Sequence, residues 1–417
     1  MHKRDFLRAM GGASMGMLLG DRVWTRYADV SPSELATDDD FWTLLRGQYR
    51  LKPDYINLEN GYFSMQSEPV LAAFLARVRE INYEASYYMR TRQVDDRIAV
   101  RKSLARLAGC SHEEIALTRN TTESLDTVIS GYDWKAGDEA VMAAQDYGAM
   151  LDMFALQARR HGVVNRIVSL PINPQSDAEI VRLYESAITP RTRLLMVCHM
   201  VNISGQVLPV RAIADMAHGK GVDVMVDGAH SFAQMDFRIP DLGVDYYGAS
   251  LHKWLGTPLG AGLLYVRADK IEKLWPVYAD SSVPDTDIRK LNHTGTHPVH
   301  TDLAIDNAIA FHEGIGVQRK EARLRFLQTY WTSKVRGMPN VVLNTPADPR
   351  RSCAIANVGV RGIPPADLAR TLLEKYKVWT VAINTANVQG VRVTPHVYTT
   401  TDELDAFVRA LQGIAAG

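Results

Sequence analysis

Two segments of the sequence end in side chains that could act on one carbonyl compound. The apolar run 222–226 leads directly into Asp227, and Lys253 follows 26 residues later in the stretch Ser250-Leu251-His252-Lys253. An acid at the carboxyl end of a buried parallel strand points into the crevice where α/β sheets bind ligands, and once buried it needs a positively charged partner. A lysine in a turn that is followed by glycines has room to form a Schiff base with an aldehyde.

Together, these two side chains match the requirements of pyridoxal 5'-phosphate (PLP). Asp227 would keep the pyridine nitrogen protonated, and Lys253 would bind the aldehyde carbon. Either residue alone has an ordinary explanation, a surface loop acid or a solvated lysine. Their joint occurrence, with this spacing and these neighbours, predicts a PLP enzyme.

The composition is that of a soluble globular enzyme. The chain has 417 residues, 46% of them hydrophobic, and its 47 basic and 47 acidic side chains cancel, so no overall charge attracts it to nucleic acid or to a membrane surface. No apolar run approaches the ~20 residues of a membrane-spanning helix. The three cysteines, Cys110, Cys198 and Cys353, are far apart, which argues against a disulfide framework or a cysteine-built zinc site.

From about Asp38 onward, strand and helix patterns alternate. Short apolar runs typical of buried parallel strands lie at 140–143, 193–198, 222–226 and 262–266, with helical patterns between them. The alternation predicts an α/β fold, with a large doubly wound domain and a mainly parallel sheet over residues 60–295. Residues 296–417 are predicted to form a smaller C-terminal α+β domain, in which 352–360 is one of the strands, and residues 31–59 an N-terminal segment.

Residues 1–30 have the layout of an export signal. Basic residues near the start precede a small apolar stretch at 9–20, which is too short to span a bilayer stably. The segment 2–8 resembles a twin-arginine signal with lysine in place of the first arginine, which predicts passage to the periplasm through the twin-arginine export machinery. A basic tail on a cytoplasmic enzyme is the alternative interpretation.

The motifs Asp227-Gly228-Ala229-His230 and Ser250-Leu251-His252-Lys253 resemble those of the class V aminotransferases, PLP enzymes of fold type I. The stretch 118–124 is especially similar to the isopenicillin N epimerase-like branch of that family. The resemblance implies that Thr121 and Thr122 contact the cofactor phosphate together with Ser250 and His252, although a plain threonine cap of a helix would give the same local pattern.

The resemblance assigns further roles around the ring and the substrate. Tyr147 would stack on the pyridine face as a catalytic partner of Lys253 and Asp227, unless it is a core tyrosine. Asn202 would donate to the cofactor's 3'-oxygen, with His230 assisting. Arg392 would bind the substrate carboxylate, unless it is an ordinary strand-face arginine. Asn60 would line the substrate entrance.

The Gly295-Thr296 pair resembles a segment whose threonine reaches the phosphate of a partner subunit, which implies a homodimer. The nearby histidines His293, His297 and His300 are an alternative signal for a metal ion. However, Pro298 interrupts helical spacing and no carboxylate accompanies them, so no metal site is predicted.

The resemblance implies an enzyme that acts at the α-carbon of an amino acid or amino-acid-containing metabolite, by transamination or epimerisation. A PLP-dependent carbon–sulfur lyase is an alternative. Cysteine desulfurases need a mobile cysteine shortly before the substrate arginine, and 380–390 contains none, while Cys353 has the surroundings of a buried thiol in an apolar strand. A catalytically silent binding or scaffold protein is the alternative from another class.

Overall fold

The computed structural model describes residues 26–417, so all but the last five residues of the expected export signal lie outside the described residues. The strands, in chain order, are β1 Ile56–Asn57, β2 Ile115–Thr118, β3 Glu139–Ala143, β4 Val164–Val168, β5 Thr192–Cys198, β6 Asp223–Asp227, β7 Tyr246–Ser250, β8 Gly262–Val266, β9 Val341–Leu343, β10 Ala356–Val360, β11 Val378–Trp379, β12 Val381–Thr385 and β13 Val388–Val393.

The helices alternate with these strands and then follow them. In chain order they are α1 Pro32–Leu35, α2 Asp39–Arg46, α3 Glu68–Glu84, α4 Ser86–Thr91, α5 Gln93–Ala108, α6 Thr121–Gly131, α7 Gly148–His161, α8 Asp177–Ala187, α9 Val210–His218, α10 Leu251–Trp254, α11 Ala268–Ile271, α12 Val299–Ile315, α13 Val317–Val335, α14 Pro365–Tyr376 and α15 Thr401–Ala415. Among the described residues, none of the helices combines the length and apolar character needed to cross a bilayer.

Local sequence fixes several helix ends. Helix α6 begins at Thr121 because the Asn120 side chain accepts a hydrogen bond from the backbone N–H of Glu123. Helix α15 begins with a capping box, in which Thr400 and Glu403 each bond the other's backbone N–H. Helix α7 ends at Gly162, which takes the left-handed conformation.

The large sheet has the strand order β2-β8-β7-β6-β5-β3-β4. Strands β7, β6, β5, β3 and β4 run parallel, which confirms the predicted mainly parallel α/β architecture. The expectation that 262–266 is another parallel strand is wrong, because β8 is antiparallel to both β2 and β7. The connection from β7 to β8 is shorter than the crossover that a parallel strand would need.

Both faces of the large sheet are buried. Alternate residues of the same strands enter two different apolar clusters: Val141 and Val224 face one side, and Met142 and Met225 face the other. Helix α12 adds residues such as Ile305 to the first cluster, although it lies beyond residue 295. The division into domains at that residue therefore stays a prediction.

The C-terminal part forms a second sheet with the order β12-β13-β10-β9, in which every neighbouring pair is antiparallel. Helices α13, α14 and α15 supply most of the remaining apolar side chains of its core. Cys353 precedes β10 instead of lying in a strand, so the predicted strand at 352–360 begins four residues too early. Strand β1 pairs with β11, which brings the following segment, 58–61, next to the end of β13.

The parallel strands direct their carboxyl ends to one edge of the large sheet. The loops after β2, β3, β5, β6 and β7 all leave from that edge, because β2 runs in the same direction as β7. Ligands of open α/β sheets bind at such an edge. The sequence-predicted site residues at 121–122, 147, 202, 227–230 and 250–253 all follow or end these strands.

Candidate active site

A pocket of about 540 Å³ opens at this edge of the sheet. It brings together ten of the twelve site residues that the sequence predicts. These are Thr121, Thr122, Tyr147, Asn202, Asp227, His230, Ser250, His252, Lys253 and Arg392. The pocket therefore combines acidic, basic and hydroxyl groups that lie up to 271 positions apart in the sequence.

Asp227 is the last residue of β6, and its carboxylate is almost fully buried. One oxygen accepts a hydrogen bond from the backbone N–H of Ala229 at 3.0 Å. The turn between them requires Gly228, because a Cβ there would lie 1.9 Å from Cζ of Tyr247. Burial raises the pKa of Asp227, and the positive charge of Lys253 opposes that rise. Such a carboxyl group is suited to sharing a proton with a ring nitrogen.

Lys253 lies in the short helix α10, directly after the end of β7. Burial lowers the pKa of its amine to about 8, while the carboxylate of Asp227 opposes the shift. The amine is therefore neutral far more often at physiological pH than that of an exposed lysine. A neutral amine is the form that attacks a carbonyl carbon or accepts a proton.

Trp254 and Lys253 contact opposite nitrogens of the His230 ring. The indole Nε1–H of Trp254 donates to His230 Nδ1 at 3.2 Å, and Lys253 Nζ lies 3.2 Å from His230 Nε2. An indole N–H can only donate, so Nδ1 carries the lone pair and the neutral ring holds its proton on Nε2. That proton points at Lys253 Nζ, which can accept it only as a neutral amine. Burial also lowers the pKa of His230 well below its usual value, so the ring stays neutral.

Another part of the pocket lining is a cluster of hydroxyl and N–H groups at the start of α6. The Ser250 hydroxyl accepts a hydrogen bond from the backbone N–H of Thr121 at 2.9 Å and lies 2.8 Å from Thr121 Oγ1. Thr122 lines the same wall, one residue into the helix. Hydroxyl groups can donate hydrogen bonds to a phosphate group, and the dipole at a helix N-terminus favours its negative charge.

Two residues of the pocket lining each have one buried polar atom without a hydrogen-bond partner among the described residues. These atoms are Nδ1 of His252 and Oδ1 of Asn202. Burial lowers the pKa of His252 to about 4, so its ring is neutral. Buried polar atoms are nearly always hydrogen-bonded, which indicates that the pocket is built to hold a polar ligand.

Arg392, on β13, reaches the pocket from the second sheet. Its Nη2 and Nε lie 2.6 and 3.2 Å from the two carboxylate oxygens of Glu59, and its Nη1 donates to the backbone carbonyl of Asn202 at 3.3 Å. The guanidinium rests against Gly61, where a Cβ would lie 3.1 Å from Arg392 Cζ. The predicted carboxylate-binding arginine thus already holds a carboxylate of the protein itself.

Tyr147 lines the pocket immediately before α7, and its side chain is half exposed. Asn60 is placed differently from the expectation. It is fully buried, donates to the Thr394 carbonyl, accepts from the Tyr398 hydroxyl, and does not line the pocket. Its amide therefore holds the 57–61 segment against β13, while Gly61 and Tyr62 face the pocket.

Thr296 is exposed and lies outside the pocket. The three histidines near it have separate neighbours: His293 lies 3.3 Å from Asp280, His297 lies within hydrogen-bonding distance of Thr294, and His300 packs against Phe74. Within residues 26–417 no cluster of three metal-ligating side chains is found.

The cysteines are placed as inert thiols. Burial raises the pKa of Cys353 to about 12, and that of Cys198 well above its usual value. The segment 380–390, where a cysteine desulfurase would carry its reactive cysteine, forms β12, a turn and the first residues of β13.

Residues 66–410 match the family model described as "Aminotransferase class-V". The chain belongs to the class-V aminotransferase family. Among curated relatives of this chain, isopenicillin N epimerase from Streptomyces clavuligerus is 28% identical over 395 residues, covering 89% of this chain and 98% of the relative. The epimerase from Amycolatopsis lactamdurans is 29% identical over 394 residues, covering 90% and 98%.

Solved structures share the fold. The apo cysteine desulfurase from Thermococcus onnurineus has a TM-score of 0.79 at 21% identity, covering 91% of this chain and 98% of its own. A complex of the cystine C-S lyase C-DES has a TM-score of 0.77 at 22% identity, with coverage of 86% and 97%. The fold of this chain is therefore that of the fold type I PLP enzymes, as predicted.

The cofactor is pyridoxal 5'-phosphate, and the pocket fits it. The hydroxyl and N–H cluster of Thr121 and Ser250 suits its phosphate, and the Asp227 carboxyl suits its ring nitrogen. The unpartnered atoms of Asn202 and His252 can form hydrogen bonds with polar groups of the cofactor. The Lys253 amine, with its lowered pKa, is suited to bind the cofactor's aldehyde carbon.

Two residues that contact the pocket lining are not predicted from the sequence. Trp254 follows Lys253 directly, and Glu59 precedes the Asn60-Gly61 pair, so both lie beside recognised motifs. Neither residue type signals its role by itself: an apolar neighbour of a catalytic lysine looks like core packing, and a glutamate beside a turn looks like a surface charge. The possible signal for Glu59 was an acid close to a segment expected at the substrate entrance.

Proposed function

We propose that this PLP-dependent enzyme acts at the α-carbon of an amino acid or an amino-acid-containing metabolite, by transamination or epimerisation. The proposal rests on the position of the Lys253 amine, whose Nζ lies 3.2 Å from His230 Nε2 in the same pocket as Asp227 and Arg392. The isopenicillin N epimerases, which match nearly over their full length, support the epimerase branch.

When bound, the cofactor supplies an electron-accepting ring that stabilises negative charge on the substrate's α-carbon. Lys253 Nζ takes the α-proton, because the neutral amine is a base and its pKa of about 8 lies near working pH. Asp227 holds a proton at the ring nitrogen from its buried position at the end of β6. Arg392 orients the substrate through its carboxylate.

Transamination and epimerisation differ in where the proton returns. If it returns to the face from which it left, or to the cofactor's own carbon, one amine such as Lys253 serves both steps. If it returns to the opposite face, a second proton donor is required on that side. Tyr147, which lines the pocket and is half exposed, is the residue that we propose for that role.

A carbon–sulfur lyase is the second candidate, because cysteine desulfurases are also among the curated relatives, at 25–26% identity. A desulfurase needs a reactive cysteine near the substrate. Here 380–390 is a cysteine-free hairpin and Cys353 is a buried thiol with a raised pKa. A lyase that releases sulfur without a protein thiol is the form of this candidate that agrees with these features.

We further propose that the enzyme is a homodimer in which Thr296 reaches the partner's phosphate site, and that it is exported through the twin-arginine machinery. Exposure of Thr296 agrees with the first proposal. Analytical ultracentrifugation of the purified protein tests the first. Fractionation of cells that carry Arg4→Lys in the signal tests the second.

The reaction is tested in deuterated water with a panel of L-amino acids and short peptides, followed by mass spectrometry and chiral chromatography. Deuterium at the α-carbon with a racemised product identifies an epimerase, a keto acid identifies a transaminase, and a released thiol identifies a lyase. The Lys253→Ala variant must lose the activity, whereas Lys273→Ala, at an exposed lysine, must keep it. Undiminished turnover by Lys253→Ala, or a loaded wild-type enzyme that changes no member of the panel, contradicts the proposal.

A further inference from the structure

Glu59 forms a buried ion pair with Arg392, and Arg392 lines the pocket. The side chain of Glu59 is 6% exposed and that of Arg392 is 9% exposed. The contact is two-pronged, from Nη2 at 2.6 Å and from Nε at 3.2 Å, so one edge of the guanidinium is occupied. Paired geometry of this kind is the arrangement by which arginine binds any carboxylate.

The position of Glu59 is fixed by the backbone as well as by the arginine. Its Oε1 also accepts the backbone N–H of Tyr62 at 2.9 Å, and residue 59 forms a parallel bridge with Thr394. Gly61 leaves room for the guanidinium to lie flat on the same turn. Glu59 is therefore held firmly behind Arg392, next to Gly61 and Tyr62, which line the pocket.

A substrate carboxylate has two ways to reach Arg392. It can displace Glu59, which would leave a buried glutamate without its cation, or it can bind the Nη1 and Nη2 edge beside the glutamate charge, where Nη1 already donates to the backbone carbonyl of Asn202. The first way costs the desolvation of an unpaired charge, and the second places two carboxylates around one guanidinium. Both ways weaken binding that relies on the carboxylate alone.

We propose that Glu59 is a specificity-determining residue, which competes with the substrate carboxylate for Arg392 and so disfavours small free amino acids. This inference rests on the proposed function, since it assigns Arg392 to the substrate. The enzyme would then recognise its substrate mainly through contacts with the parts other than the α-carboxylate. The pocket mouth carries two exposed apolar side chains, Tyr62 and Leu259, that suit a larger amino-acid-containing molecule.

The test compares the PLP-loaded wild-type enzyme with Glu59→Gln, using L-alanine and L-alaninamide as probes. Glutamine keeps an oxygen for the Tyr62 N–H and removes the competing charge. Binding is measured from the change in the cofactor's absorbance during titration at pH 7.5. We expect the affinity for L-alanine to rise at least fivefold in Glu59→Gln, while the affinity for L-alaninamide changes less than twofold, because the amide carries no carboxylate.

Glu374→Gln, which removes one exposed charge from α14, is the matched control and must behave as wild type. If Glu59→Gln misfolds, as judged from thermal denaturation, Glu59→Ala is titrated instead with the same expectation. An affinity for L-alanine that is unchanged, reduced or undetectable in the variant overturns the inference. The cofactor's own absorbance band reports separately on Lys253. If the band is present but the Glu59 inference fails, the assignment of the cofactor to Lys253 is unaffected. If the band is absent, the proposed function is wrong.

Discussion

Nε2 of His230 lies 3.2 Å from Nζ of Lys253, and the proton between them belongs to the histidine. The assignment follows from the other side of the ring, where Trp254 can only donate. The contact with the neutral ring thus favours the free-base form of the lysine, in addition to the effect of burial, which lowers the pKa of its amine to about 8. The two effects act in the same direction, and both make Lys253 reactive at neutral pH.

Cofactor attachment to the apoenzyme should depend on pH through Lys253. Burial lowers its pKa to about 8, so the neutral fraction, and with it the attachment rate, rises about tenfold per pH unit below pH 8 and levels off above it. Stopped-flow absorbance between pH 6 and 10 measures this rate. A rate that continues to rise towards ~10.4, the value of an ordinary lysine, contradicts the account.

Trp254→Phe should raise the pKa of Lys253. Without the indole N–H, the His230 proton is free to move to Nδ1, and Nε2 then accepts a hydrogen bond from the charged ammonium and favours it. The midpoint of the attachment profile should move up by about one pH unit. Phenylalanine preserves an aromatic contact with His396, on which the indole stacks at 5.6 Å. Trp275→Phe, at an exposed tryptophan, is the control, and an equal shift in both variants refutes the role of Trp254.

Ser250→Ala should weaken the cofactor's phosphate site. The change removes the acceptor of the buried Thr121 N–H, which costs about 1–3 kcal/mol of folding stability in the apoenzyme. The lost donor should reduce PLP affinity about tenfold, as measured by equilibrium dialysis. Ser130→Ala changes an exposed serine of α6, the helix that begins at Thr121, and serves as the control. If both variants bind PLP as wild type does, the phosphate lies elsewhere.

Asp227→Asn should separate cofactor binding from turnover. An amide cannot hold the ring nitrogen's proton, so turnover should fall by about 10²–10⁴-fold while the cofactor remains attached to Lys253. Absorbance spectra report attachment, and product formation reports turnover. Asp215→Asn, at an exposed helix position, must keep full turnover. Wild-type turnover by Asp227→Asn would show that this carboxyl does not face the ring.

Much of the site follows from the sequence because its residues sit at strand ends. Once 222–226 is interpreted as a buried parallel strand, Asp227 must emerge at the ligand-binding edge, and the alternation of strands and helices places 121–122 and 250–253 there too. The direction of β8 was not predictable from its apolar pattern. Burial on both faces gives parallel and antiparallel strands the same composition, and only the length of the connection distinguishes them.

The contact between Glu59 and Arg392 could not be predicted from the sequence either. Glu59 and Arg392 are 333 positions apart, and they meet only because β1 pairs with β11 and carries the following turn to the end of β13. The same pairing buries Asn60, which therefore supports the turn from behind instead of facing a substrate. Motifs identify residue types, while long-range pairing decides which atom meets which.

The most direct test of the account is chemical labelling of the cofactor's attachment point. The PLP-loaded protein is reduced with borohydride, digested, and analysed by peptide mass spectrometry. The account predicts one pyridoxyl phosphate group per chain, on Lys253. A label on any other lysine, or no label on a protein that still holds PLP, would contradict the central claim that Lys253 and Asp227 hold the two ends of one ring.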